Sequence, residues 1–433
     1  MRFICRKPGK KSVSILKRDE KVVSQCVTRE YSFVFKRAKG CHVWDVDEKK
    51  YLDFAAGIAV ANSGHSNPQV VKAVKDQADK GLHAAFADFH AEAPVTFIEK
   101  LLSCMPKKFN NVFLSNSGTE AVEGGYKCAR WHTNRTWTIA FDPCFHGRTM
   151  GSLSITNAFP VQKERYSPFL PVMHAPYCYT YRYKGSESSC VNNSLDKLES
   201  IIKNKRPASV FLEPISGEPG YIVPPKEWVK GIRKLCNEYG TLLVVDEVQA
   251  GCYRTGKFLS IENFGVEPDI VCMAKAIGAG LPLGATISSK KIMDWPSGSH
   301  ANTFGGNLAA CAAGSASIDF MKKNKLGNNA AKIGKHIMKR LNEMKDKYEI
   351  IGDVRGIGLM IGVEIVRNKA TKAYGVAERQ AILCKASENG LILLPAGRSV
   401  IRLSPPLIIT KQQADEGLNI LENAIKEVNK TVL

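Results

Sequence analysis

Leu242-Leu243-Val244-Val245-Asp246 and, further on, Asp269-Ile270-Val271-Cys272-Met273-Ala274-Lys275 decide the fold. Each is an apolar run that ends on a charged residue. A strand covered on both faces needs such a continuous run, whereas a one-sided strand alternates. Working outward, short runs of the same kind occur at 111–114, 137–141, 210–213 and 285–288, with helical patterns at 120–133 and 226–239 among them. This predicts an α/β architecture with a large, mostly parallel sheet. Ligands of such sheets bind beyond the carboxyl ends of the strands, so polar residues placed there are the first functional candidates.

The flanking thirds read differently. A helical stretch from 308 to about 347 leads into 350–366, a helix near 376–389, a strand at 391–395 and a final helix from 411. That pattern predicts a smaller α+β domain. Val43-Trp44-Asp45-Val46-Asp47 and Tyr51-Leu52-Asp53-Phe54 predict a small sheet or arm packed on one of the domains. The expected division is a 1–60 N-terminal arm or small-domain segment, a 61–310 large α/β domain and a 311–433 small C-terminal domain.

With 433 residues, 44% hydrophobic and 24% charged, the chain has the composition of a globular protein with ample core material. No run approaches the roughly 18 apolar residues of a membrane span, so no membrane partner is expected. Seven basic residues (Arg2, Arg6, Lys7, Lys10, Lys11, Lys17 and Arg18) precede Asp19 without the apolar segment of a secretory signal, which favours a cytoplasmic protein. The net charge of +20 is spread along the chain without a nucleic-acid-binding motif, so no nucleic-acid partner is expected. The 13 cysteines contain no C-x-x-C pair. No metal site is expected, and cysteines such as Cys236, Cys272 and Cys384 read as small buried hydrophobes.

Two glycine patterns fail as phosphate loops. Gly251 to Lys257 has Walker spacing, but Phe258 stands where a metal-binding hydroxyl is required, and Gly278-Ala279-Gly280 lacks the third glycine of a dinucleotide loop. Asn116-Ser117-Gly118-Thr119-Glu120-Ala121 follows a strand and opens a helix, so its N–H groups suit either a simple N-cap or a bound anion. Asp246, at the end of a buried strand, needs a cation or donor as partner; a helix cap, an ion pair or a protonated heterocycle would each serve. Lys275 ends the next apolar strand, where desolvation makes an amine nucleophilic.

Seven segments then fall in order: Ser117 to Glu123, Phe145-His146-Gly147-Arg148-Thr149, Glu213-Pro214, Asp246-Glu247-Val248-Gln249, Ala274-Lys275, Thr303 to Asn307, and Arg402 to Leu407. Together they resemble the motifs of class III aminotransferases. These are fold-type I pyridoxal-phosphate enzymes that include 4-aminobutyrate, ornithine and acetylornithine aminotransferases. The resemblance runs from about Val43 almost to the C-terminus. It implies pyridoxal 5'-phosphate as cofactor, with its phosphate at Ser117, Gly118 and Thr119 and its ring between Phe145 and Val248. Asp246 would hold the ring nitrogen protonated, Gln249 would bond the ring hydroxyl, His146 would belong to the cofactor shell, and Lys275 would carry the Schiff base. Thr303 would reach the phosphate of a neighbouring subunit, making the enzyme a homodimer or a multiple of one.

The resemblance further implies an amino donor and a 2-oxo acid acceptor. Arg402 would clamp a carboxylate, Glu213 would mask that arginine and swing away, and Arg148 would grip the donor's far carboxylate. Ile58, in Gly57-Ile58-Ala59-Val60, resembles the 4-aminobutyrate pattern; ornithine enzymes usually have tyrosine there. Ser216 departs from the family's common glutamine. The reading is therefore ping-pong transfer from an ω-amino acid such as 4-aminobutyrate to 2-oxoglutarate. A racemase on the same scaffold and an ornithine-type enzyme are the alternatives. A basic nucleic-acid-binding protein would leave the motifs unexplained.

Overall fold

Burial on both faces, the property legible in residues 242–246 and 270–273, carries those two segments to the middle of a seven-stranded sheet in this computed structural model. The structure describes residues 8–432, so Arg2, Arg6 and Lys7 lie outside it. The chain forms two compact units, one spanning Pro68–Gly327 and the other made of the segments that precede and follow it.

The strands of the Pro68–Gly327 unit are β1 (Asn111–Ser115), β2 (Thr138–Asp142), β3 (Val172–Pro176), β4 (Ser209–Leu212), β5 (Leu242–Asp246), β6 (Ile270–Met273) and β7 (Gly284–Ser288). Their order is β1-β7-β6-β5-β4-β2-β3. Only β7 runs antiparallel to its neighbours. The sheet is therefore mostly parallel, as expected. β3 has no counterpart among the expected strands; its Val-Met-His-Ala-Pro sequence occupies the sheet edge, where half-burial and a proline are tolerated.

The helices of this unit are α1 (Pro68–Lys80), α2 (Glu92–Leu102), α3 (Gly118–Thr133), α4 (Met150–Ile155), α5 (Glu187–Lys205), α6 (Lys226–Tyr239) and α7 (Leu308–Lys323). In α6, Trp228, Val229, Ile232 and Cys236 recur at helical spacing and are all buried, and Gly240 at φ 59° closes the helix. Against the sheet, α3 lies unusually close. A Cβ on Gly125 would come within 2.9 Å of Cys272 Sγ and 3.3 Å of Val244 Cγ1, so only glycine lets this helix rest on β5 and β6. That contact fixes where the start of α3 stands relative to the strand ends.

The other unit joins the two ends of the chain. Phe35–Lys39, His42–Asp45 and Lys50–Asp53 form an antiparallel sheet, and the distant strand Leu391–Ile392 pairs parallel to Lys50–Asp53. A second antiparallel sheet contains Ile351–Ile357, Met360–Asn368, Leu394–Ala396 and Val400–Leu403. The helical stretch expected from 308 to 347 is two helices, Leu308–Lys323 and Leu326–Lys347, because Lys325 takes a left-handed conformation at φ 50°. Cys384 also departs from expectation: it is half-buried and disulfide-bonded. Among the described residues no helix is long and apolar enough to cross a membrane.

Candidate active site

Asp246 closes β5, and parallel pairing sets it beside Cys272 of β6, so Lys275 follows just past the end of the adjacent strand. The Asp246 carboxylate is buried and doubly held: Oδ1 accepts the Val248 N–H at 3.0 Å, and Oδ2 lies 2.8 Å from His146 Nδ1. His146 is itself buried, and its backbone N–H donates to Thr156 Oγ1 at 2.9 Å. Burial works against charge on this imidazole. Cys144 and the Asp246 carboxylate outweigh it and push the His146 pKa well above the ordinary value. The ring's second nitrogen, Nε2, is buried, with no hydrogen-bond partner of proper geometry among the described residues.

Lys275 opens a short 3-10 turn, Lys275–Gly278, and holds a left-handed backbone at φ 51°. For a residue with a long side chain that conformation carries strain on the order of 1–3 kcal/mol, and such strain concentrates at functional sites. Three segments converge nearby. A Cβ on Gly118 would lie 2.8 Å from Val248 Cγ1 and 3.6 Å from Ala274 Cβ, so the start of α3, the 246–249 turn and the residue before Lys275 meet at a point that only glycine leaves open.

Ser117 is the N-cap of α3, its hydroxyl accepting the Glu120 N–H and donating to Glu120 Oε2 at 2.9 Å. The Thr119 hydroxyl meets those of Thr149, at 2.6 Å, and Ser152. Glu123 Oε1 in turn accepts from the Thr149 hydroxyl and from the Ser152 N–H. The starts of α3 and α4 thus share one hydroxyl cluster that closes on the Glu123 carboxylate. Thr149 and Ser152 were not among the sequence candidates. The signal available for them was a threonine two residues after Gly147, at the N-cap of α4.

Phe145 and Val248 are both half-buried, and the guanidinium of exposed Arg148 lies 5.7 Å from the centre of the Phe145 ring. Gln249 presents a buried Oε1 with no hydrogen-bond partner among the described residues. Thr303 is exposed, in a segment pinned on one side by Asn302 Nδ2 to Leu114 O and on the other by Asn307, which caps α7. Ile58 and Arg402 belong to the other unit. Ile58 sits at φ 67° in the run Ala56–Ala59, where all four residues have positive φ, and it is 43% exposed. Arg402 is buried in the strand Val400–Leu403, between Gly362 and Leu394.

Glu213 differs from the expectation. Its carboxylate is buried, with Oε2 accepting the Phe145 N–H at 2.9 Å and Oε1 the Gly217 N–H at 2.9 Å. Burial raises its pKa to about 7. Swinging away would leave two buried backbone donors unsatisfied, each at a cost of about 1–3 kcal/mol. In this conformation Glu213 braces the 213–217 turn, and the swing expected of it would have to break both bonds.

A family model described as Aminotransferase class-III matches residues 24–425. An acetylornithine aminotransferase from Methanosarcina mazei is 41% identical, covering 95% of this chain and 96% of its own. An alanine/serine racemase from Pyrococcus horikoshii is 38% identical over 98% of this chain and 93% of its own. Among solved structures, the taurine:2-oxoglutarate aminotransferase of Bifidobacterium kashiwanohense, in complex with PLP and glutamate, is similar with a TM-score of 0.92 at 27% identity, covering 99% of this chain and 100% of that one.

Proposed function

We propose that this chain, which belongs to the class-III aminotransferase family and is an enzyme that uses pyridoxal phosphate, transfers the amino group of an ω-amino acid such as 4-aminobutyrate to 2-oxoglutarate. The observation that carries the reading is the convergence of Gly118, Val248, Ala274 and the Asp246–His146 pair around the end of β5, with Lys275 next in sequence.

The residues fit the cofactor. Gln249 Oε1 is a buried acceptor that needs a donor, as a ring hydroxyl provides, and a side chain at Gly118 would close the space at the helix start. Pyridoxal phosphate, when bound, supplies an aldehyde carbon for the amine and an electron sink for the adjoining carbon. In this proposal the α3 start, with Ser117, Gly118 and Thr119, holds the phosphate, and Phe145 and Val248 pack on the two ring faces. Asp246, oriented by His146 and Val248 N–H, keeps a proton on the ring nitrogen. Lys275 Nζ is the covalent anchor and moves the proton to and from the substrate carbon. Ile58, Arg148 and Arg402 bind substrate. Thr303 serves the phosphate of a second copy in a homodimer, in the cytoplasm.

Two similarities support a terminal-amine donor: acetylornithine and taurine, named for the aminotransferase relatives, both carry the transferred amine on a carbon without an acid group. The likeness to an alanine/serine racemase favours a second reading, in which Lys275 takes the proton from the α-carbon and a second acid returns one on the opposite face, without nitrogen transfer. Borohydride treatment tests the shared premise. It should fix the cofactor's mass on the peptide containing Lys275, and Lys275→Ala should lose that mass and nearly all turnover. Cofactor fixed on another lysine would overturn the assignment.

A further inference from the structure

Two thiols outside the site lie closer together than packing alone allows. Cys178 follows β3 and Cys190 lies in the first turn of α5; both are buried, at 0% and 3% exposure. Their sulfurs are 2.6 Å apart. Even carbon atoms rest at about 3.5–4.0 Å in van der Waals contact, while a disulfide brings two sulfurs to about 2.05 Å. Both are free thiols here, and a pair held between those limits has only a short distance left to close. The segment between them, Tyr-Thr-Tyr-Arg-Tyr-Lys-Gly-Ser-Glu-Ser-Ser, crosses the surface and is exposed from Lys184 to Ser188.

We propose that Cys178 and Cys190 form a disulfide that clamps the β3–α5 connection. The bond needs an oxidant, for which a low-molecular-weight disulfide such as oxidised glutathione suffices. One cysteine sulfur, having lost its proton, attacks that disulfide, forms a mixed disulfide and releases one glutathione thiol. The second cysteine, also deprotonated, attacks the mixed disulfide, closes the protein bond and releases the second glutathione thiol. The protein loses two protons and two electrons, and glutathione disulfide takes up both.

The clamp has a route to the site through the adjacent residue. Tyr177 is buried, and its hydroxyl lies 3.2 Å from Glu213 O, 3.4 Å from Pro214 O and 3.3 Å from Ile222 O. Fixing Cys178 therefore fixes the ring that supports the 213–222 loop. The bond stabilises by restricting the unfolded chain, by less than a bond closing a longer loop would.

The test uses the full-length holoenzyme, incubated with oxidised glutathione or with dithiothreitol, then alkylated under denaturing conditions and digested without reductant. A parallel sample is refolded from denaturant in oxidised glutathione, so that burial of the thiols cannot hide the pair. Trypsin cleaves at Arg182 and Lys184, between the two cysteines, so a bond joins two separate peptides. The proposal expects that linked pair after oxidation and its loss after reduction. Oxidised protein should melt about 3–5 °C higher than reduced protein, and tryptic nicking of the native loop should slow on the order of tenfold. Cys190→Ser should abolish the linked pair and both gains while keeping the reduced protein's melting point. Recovery of both cysteines alkylated after refolding in oxidised glutathione, or linkage of either to a different cysteine, overturns the proposal.

Discussion

Neighbouring strands β4 and β5 each lead into a turn that holds a buried carboxylate, and the two turns use their carboxylates differently. At 213–217, Glu213 gives both oxygens to backbone N–H groups of its surroundings. At 246–249, Asp246 gives one oxygen to a backbone N–H and the other to a buried imidazole whose pKa is raised. A carboxylate saturated by backbone is a structural part that cannot leave without stranding its donors. A carboxylate that shares an oxygen with a buried imidazole is oriented by a side chain and faces the space beyond the strand end. Position at a strand end made both residues candidates; only the identity of the partners separates them.

Asp246→Asn strikes the functional turn hardest. It keeps the shape and removes the charge, so cofactor should still bind while single-turnover rates fall on the order of a thousandfold. Near-normal single-turnover rates would erase the distinction between the turns. Glu213→Gln should act on the structural turn instead. An amide offers one acceptor and turns an N–H toward a backbone N–H, which should cost about 1–3 kcal/mol of stability by denaturant titration. Its two half-reactions should slow by similar, small factors. A strong bias against the half-reaction with 4-aminobutyrate would restore the swinging role to Glu213.

The smallest expected effect is on pH dependence. Burial lifts Glu213 from 4.5 to about 7, and Glu247 likewise. For acids raised in the folded state, the unfolded chain releases protons first as pH rises. Their stabilising contribution is then complete below about 4.5 and is lost as pH passes through about 7. Melting temperature should fall by a few degrees across that window, with a shallower fall in Glu213→Gln. An unchanged slope in the variant would place the raised carboxyl elsewhere.

The core of this architecture was readable because central parallel strands are covered on both faces, which forces the unbroken apolar runs at 210–213, 242–246 and 270–273. The edge strand Val172–Pro176 and the polar helix Glu187–Lys205 lack that constraint and left no comparable pattern. Pairing of Leu391–Ile392 with Lys50–Asp53 joins segments far apart in sequence, and two apolar residues carry no sign of their partner. At the site, Asp246 and Lys275 stood out because charge at the end of a buried strand is costly. Side-chain partnerships left no such trace. The bond from His146 to Asp246, the hydroxyl cluster of Thr119, Thr149 and Ser152, and the backbone saturation of Glu213 depend on the folded geometry.

Amino transfer from a terminal amine is tested most directly by following product. Purified enzyme loaded with pyridoxal phosphate is mixed with 4-aminobutyrate and 2-oxoglutarate, and L-glutamate is quantified by chromatography; a parallel chiral assay follows single L-amino acids offered without acceptor. Amino transfer yields L-glutamate in proportion to the donor consumed, with no D-enantiomer from the single amino acids. Absence of glutamate, together with conversion of one L-amino acid to the racemate without any 2-oxo acid, would contradict it and assign the Lys275 site to racemisation.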